Sequence, residues 1–400
     1  MIPEGMRDVL PPETGRLRAV EDRLRDRFAV YGYGEVRTPW LEFAETLESA
    51  DDDTLSAGYR LHDEQGHELM VRTDMTVPVA RMAADRCDDE PLPLRFSYVA
   101  PSIRPWAPQR GQDGEFQQAG VELLGLDSAE ADAECVTLLC DALAGLGLRE
   151  YTVTLGSASF QRALIDSLGL PGEDREKFKQ ALGDRDYPMV ESIAGNSDVE
   201  WDVLKALWRI LELSGGDEVL GQARKLARND VMETAVARLG RVRDLVEDAG
   251  FGERLAFDFG LMQDLGYYTG LLLEAYAPGV GLPLASGGRY DGLVAHFDWD
   301  IPGVGFAIAV DRTADALDEA GVVHVVAPAA VPFIGGLEAP ARAAELRRAG
   351  LSVVALPEAA TGVRPPLLLP ARGGSYTLHL AVGRELSGGA REIAEALGER

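Results

Sequence analysis

Leu17, Val20, Leu24 and Phe28 recur at spacings of three and four, which predicts a first helix with one apolar stripe. The run Val36 to Glu42 reads as a strand after it. Two β-rich runs follow, Arg95 to Ala100 and Phe116 to Leu124, separated by Pro101, Pro105, Pro108 and Gly111, so they read as the arms of a long hairpin connection. Side chains alternate along a strand, so Phe116, Gln118, Gly120 and Glu122 share one face. A helix at about Ala129 to Leu146 and a strand at Tyr151 to Leu155 come next. From about Ser157 to Gly250 the pattern is helical, with breaks at Gly169 to Gly172, Gly195 to Ser197 and Gly215 to Gly216. Strands return at Leu255 to Phe259 and Thr269 to Tyr276; Tyr267 and Tyr268, read as adjoining strand positions, are expected to face opposite sides, one of them in the core.

Past Ala320 the pattern shortens. VVHVVAP, LSVVALP and YTLHLAV read as strands, Ala341 to Ala349 and Ala390 to Leu397 as helices, and Gly362 to Gly374 as a Pro/Gly-rich connection holding Arg364 and Arg372. Strand and helix alternation suggests a small α/β unit. The expected organisation is an α+β core over residues 1–320, helical at about 157–250, and a short α/β domain over 321–400.

Composition changes this picture in one respect. The 400 residues include 39 basic against 66 acidic ones, a formal charge of −27, and the lysines are Lys177, Lys179, Lys205 and Lys225. Nucleic-acid binding relies on Lys and Arg neutralising phosphates, so a chain this acidic is poorly suited to embrace tRNA; acidity of this kind also arises from salt adaptation or a GC-rich genome. No apolar run reaches the roughly 20 residues of a membrane span. The N-terminus, with Pro3, Glu4 and Arg7, lacks the form of a signal peptide. Cys87, Cys135 and Cys140 lack metal-ligand spacing and read as cytosolic thiols. The histidines His62, His67, His296, His324 and His379 are scattered, with His62 and His67 beside a Gly66 hairpin tip, so no metal site is expected.

Several short motifs occur in a recognisable order: GMRDVLPPE (Gly5 to Glu13), VRTPWLE (Val36 to Glu42), VRTDMTVPVAR (Val71 to Arg81), the hairpin from Arg95 to Gly125, LGYYTG (Leu265 to Gly270), SGGRYDGL (Ser286 to Leu293) and GVGFAIAVDR (Gly303 to Arg312). Together they resemble the class II histidyl-tRNA synthetases over most of the chain. The resemblance implies an antiparallel sheet flanked by helices and a homodimeric core built on the Val36 to Glu42 element. It also implies a histidine pocket in which Asp74, Thr76 and Gln118 bind the α-ammonium and Glu122, Tyr268 and Tyr290 line the imidazole. Such chemistry is coherent in itself: a zwitterion with a titratable ring needs acceptors, aromatic walls and a carboxylate to orient ring N–H groups.

Where the family activates its amino acid, this sequence departs from the pattern. Arg104 matches the arginine that holds the α-phosphate and Arg312 its counterpart in the last motif, and Arg110 keeps one loop cation. The acidic residue expected two positions after Arg104 is Trp106, two loop cations are Gln112 and Gly114, and the histidine-specific arginine is Gln263. Without that arginine, Arg104 is left to hold the ligand's carboxylate. Preorganised cations stabilise charge on a transferring phosphate by several kcal/mol, so losing several should abolish adenylation.

A pocket kept and catalytic cations depleted resemble the synthetase paralogues that serve as regulatory subunits of ATP phosphoribosyltransferase. The resemblance implies no catalytic activity, no cofactor, a short-form catalytic subunit as partner in a cytoplasmic hetero-oligomer, and histidine as feedback effector. A divergent histidyl-tRNA synthetase is the alternative.

Overall fold

The protein was analysed as a computed structural model. It describes residues 2–48, 58–105, 114–183, 186–197, 199, 201–261, 266–322, 331–334, 339–356, 366–371, 375–380 and 385–398. Trp106, Arg110, Gln112, Gln263, His324, Arg364 and Arg372, with most of VVHVVAP, lie outside the described residues.

The larger of two compact units comprises Met1–Val9 with Leu17–Val323. From Leu17 on, the first helix, Glu13–Val30, belongs to it and buries Val20, Leu24 and Phe28 at successive i, i+4 steps, and Phe28 meets Phe306 edge-on at 6.1 Å between ring centroids. Burying each such side chain contributes about 1.5–3 kcal/mol.

The helix packs on a nine-stranded sheet. Its strand order is Gly34–Glu35, Leu94–Ile103, Glu115–Leu124, Gly303–Ala309, Ala285–Arg289, Leu271–Tyr276, Thr152–Ser157, Leu255–Asp258, Ser214–Gly215. Neighbours run antiparallel except Gly34–Glu35 against Leu94–Ile103, and Thr152–Ser157 against Leu255–Asp258. The helix Ala129–Leu146 covers the same face as the first helix. Ser128 starts it by accepting from the Ala131 N–H at 3.2 Å, and Gly147 ends it at φ +101°, a left-handed conformation that glycine adopts without a Cβ clash.

Between the Thr152–Ser157 and Leu255–Asp258 strands the chain makes the helices Ala158–Asp166, Gly172–Gly183, Tyr187–Asn196, Trp201–Leu211, Glu218–Leu226 and Asp230–Asp248. The break expected at Gly215 is also the last strand of the large sheet, pairing Ser214 with Asp258. A separate three-stranded sheet joins Leu41–Phe43, Glu68–Val71 and Arg60–His62, with Gly66 at φ +86° in the tip of the 60–71 hairpin.

The smaller unit comprises Leu10–Arg16 and His324–Arg400. Its five strands are ordered Val353–Leu356, Val331–Ile334, Leu367–Pro370, Tyr376–His379, Glu385–Gly388, with the helices Ala339–Arg348 and Ala390–Gly398. The expected connection from Gly362 to Gly374 is therefore corrected: Leu367–Pro370 is a strand, because Leu368 is buried and pairs with Leu378. No helix among the described residues is long and apolar enough to cross a membrane. No group of three His, Cys, Asp or Glu side chains among them could hold a metal ion.

Candidate functional site

On the sheet face opposite the Ala129–Leu146 helix, the register sets Phe96, Glu122, Gly305, Gly288 and Leu272 in one row across five strands. The next row holds Tyr98, Gly120, Ala307 and Ser286. Bulky polar groups on two strands thus face glycine, alanine and serine on their neighbours, and the contrast leaves a hollow. A Cβ at Gly305 would overlap the Glu122 carboxylate and the Val121 carbonyl, and one at Gly303 would overlap the Tyr290 ring. These glycines are required by close approach and not by a turn.

Asp74, Thr76, Arg104, Gln118, Tyr268 and Tyr290 line this hollow, and Glu122 is bonded to two of them, Thr76 and Tyr290. The structure thus brings together all seven side chains that the sequence singled out for a ligand.

Glu122 is 1% exposed and held by hydroxyls: Tyr290 donates to Oε2, Tyr98 donates to Oε1 at 3.3 Å, and Thr76 also hydrogen-bonds to it. Burial nevertheless dominates, and its carboxyl is pushed up to about 8. Asp74 precedes the helix Thr76–Arg86 and accepts from the Val77 N–H through Oδ1 at 3.2 Å. Its Oδ2 is buried with no hydrogen-bond partner, and burial raises its pKa against the lowering effect of Arg104. An orphaned buried carboxylate oxygen is costly unless a ligand supplies a donor. Ser102 Oγ bonds Gln118 Oε1 at 2.7 Å and fixes that amide. Arg104 donates through Nε to the Thr73 carbonyl at 2.9 Å and lies over the Phe116 ring; it does not pair with Glu122, whose partners are hydroxyls.

Tyr267 and Tyr268 depart from expectation. They lie in the turn before the Leu271–Tyr276 strand instead of on it; both rings are buried, 4.8 Å apart, and both line the hollow. A turn does not impose the alternation of a strand, so neither ring is sent to the opposite face. Arg312 donates to the Pro283 carbonyl at 2.8 Å. Gly114 is tied down at both polar groups, donating to the Gly5 carbonyl at 2.8 Å and accepting from the Arg104 N–H at 2.7 Å. Tyr98 and Ser102 went unnoticed in the sequence, although alternation from Phe96 places both on the Glu122 face.

The hollow measures about 30 Å³. That is room for a water or two.

A model of the family described as histidyl-tRNA synthetase matches residues 5–313. A protein of Moorella thermoacetica named ATP phosphoribosyltransferase regulatory subunit is 36% identical over 360 residues, 88% of this chain and 91% of its own length. The chain belongs to the ATP phosphoribosyltransferase regulatory-subunit family. Another member of the family, from Clostridium acetobutylicum, is 36% identical over 80% of this chain and 79% of its own. A solved structure described as an ATP phosphoribosyltransferase regulatory subunit/histidyl-tRNA synthetase from Bacillus halodurans C aligns with TM-score 0.79 at 29% identity, over 91% of this chain and 94% of that one. The family shares its fold with histidyl-tRNA synthetase from Nostoc sp. PCC 7120, at TM-score 0.80 and 20% identity over 100% of this chain and 99% of that one.

Proposed function

We propose that the chain is a non-catalytic regulatory subunit of ATP phosphoribosyltransferase, which joins a short-form catalytic subunit in the cytoplasm and conveys feedback inhibition by bound histidine. The observation that carries the reading is the pair of buried carboxyls at either end of one hollow. Asp74 Oδ2, without a partner, suits an α-ammonium; Glu122, held by hydroxyls, suits an imidazole N–H. Arg104 serves the ligand's carboxylate, and Tyr268 and Tyr290 flank the ring. Trp106, Gln112, Gly114 and Gln263, where the synthetases use an acidic residue or cations, support a ligand that is held and not activated.

The test is a histidine titration of transferase activity in the assembled complex. Wild-type complex is expected to be inhibited. Glu122→Ala should leave assembly intact and shift the inhibition curve about 5- to 150-fold to higher histidine, since an unpaired ring N–H costs about 1–3 kcal/mol. Robust histidine-dependent ATP–pyrophosphate exchange by the purified chain would overturn the reading in favour of a synthetase.

A homodimeric core is part of the proposal. On the three-stranded sheet and beside it, Leu41, Phe43, Tyr59 and Leu61 are between 37% and 48% accessible. Phe43 and Leu61 both pair with Leu69, so the apolar groups converge on one face. Sedimentation equilibrium is expected to give a dimer for the chain alone and a monomer for Phe43→Glu.

A further inference from the structure

A second cavity of about 250 Å³ lies on the same sheet face, where Leu272 pairs with Gly288 on one side and Gly156 on the other. Tyr267 and Tyr268 line both cavities, so the ring pair is the wall between them. The opposite side comes from the first two insertion helices, which supply Arg162, Arg175 and Lys179.

The three cations are not equivalent. Arg175 is neutralised by Asp166 at 2.7 Å and Glu176 at 2.6 Å. Arg162 donates to the Tyr268 carbonyl at 2.7 Å, and neither it nor Lys179 has a carboxylate partner among the described residues. With 66 acidic residues against 39 basic ones, a carboxylate is the ordinary neighbour of a cation in this chain. Two cations without a carboxylate partner among the described residues, at one cavity, instead make a local positive field in an acidic protein. A guanidinium retains donors beyond the one given to Tyr268, and an ammonium has three, so together they can hold several oxygens of one anion. The remaining walls are Ile165, Leu272 and the Tyr267 ring, which offer apolar area and an aromatic surface.

We infer that this cavity binds a small phosphate monoester bearing a flat apolar group, with Arg162 and Lys179 on the phosphate and the flat group against the tyrosine wall. The inference does not depend on what occupies the first cavity.

Phenyl phosphate, phenol and inorganic phosphate, each titrated calorimetrically into the full chain at low salt, provide the test. Phenyl phosphate is expected to saturate one site per chain, at least tenfold tighter than either fragment. Lys179→Glu, at an exposed helical position, should weaken it tenfold or more while leaving thermal unfolding unchanged; Arg162→Gln should weaken it similarly. The site is refuted if phenyl phosphate shows no saturable binding, binds no tighter than inorganic phosphate, or is indifferent to Lys179→Glu.

Discussion

Asp132→Ala should destabilise the protein by about 3–5 kcal/mol, the usual consequence of breaking a buried ion pair on one side. Asp132 is fully buried and accepts from two arginines, Arg289 Nε at 2.8 Å and Arg238 Nε at 2.6 Å. Arg289 is itself 1% exposed, and without Asp132 it keeps, among the described residues, the Leu126 carbonyl at 3.1 Å, Asp291 at 2.8 Å and a looser pair with Asp127 at 3.9 Å, the two carboxylates being 36% and 61% accessible. Arg238→Met should cost much less, because Arg238 is 29% accessible and Asp132 retains Arg289. Urea unfolding midpoints of the two variants decide the matter, and a loss below about 1 kcal/mol for Asp132→Ala would show that the cluster relaxes or hydrates freely. The cluster bears on the site as well as on stability: Asp291 accepts from the Thr269 hydroxyl at 3.1 Å, in the segment that follows the two wall tyrosines.

Histidine affinity should follow a bell-shaped pH profile with its plateau between about 6.5, the ordinary imidazole value, and the elevated Glu122 value of about 8. In the proposed complex one proton would be shared between the ring and Glu122. Below the plateau both free partners are protonated and binding must release a proton; above it both are deprotonated and binding must take one up. Affinity therefore falls about tenfold per pH unit on either side. Glu122→Gln, which cannot titrate, should lose the alkaline limb near pH 8 and keep the acid one. Calorimetric titration from pH 5.5 to 9.5 measures both limbs; an alkaline limb unmoved by Glu122→Gln would assign it to another group.

What could be read from the sequence follows local periodicity. The Val20, Leu24, Phe28 stripe and the shared face of Gln118 and Glu122 are consequences of 3.6-residue and two-residue repeats, and both stand in the structure. The two tyrosines do not follow the alternation of a strand, because the strand begins only at Leu271 and both rings belong to the turn ahead of it. Val331–Ile334 was not anticipated, since it is four residues long, contains Pro332, and takes its strand identity from parallel pairing with Val353–Leu356. The glycine floor escaped for another reason. Gly288 and Gly305 are legible as motif letters, but their function appears only when register sets them beside Tyr268 and Glu122.

The row from Glu122 through Gly305 to Gly288 has a consequence for the order of folding. Tyr290 and Glu122 are 168 positions apart in the chain, and Arg289 and Asp132 are 157 apart. Closing contacts over such separations expends chain entropy before any contact rewards it, and this makes them late events. The hairpin of Leu94–Ile103 and Glu115–Leu124 can form as soon as it is synthesised, but it stays without its neighbour until Gly303–Ala309 has followed the whole helical insertion. A nascent chain therefore has half a pocket for most of its synthesis. A ligand of the proposed kind would therefore recognise only molecules whose core has finished folding.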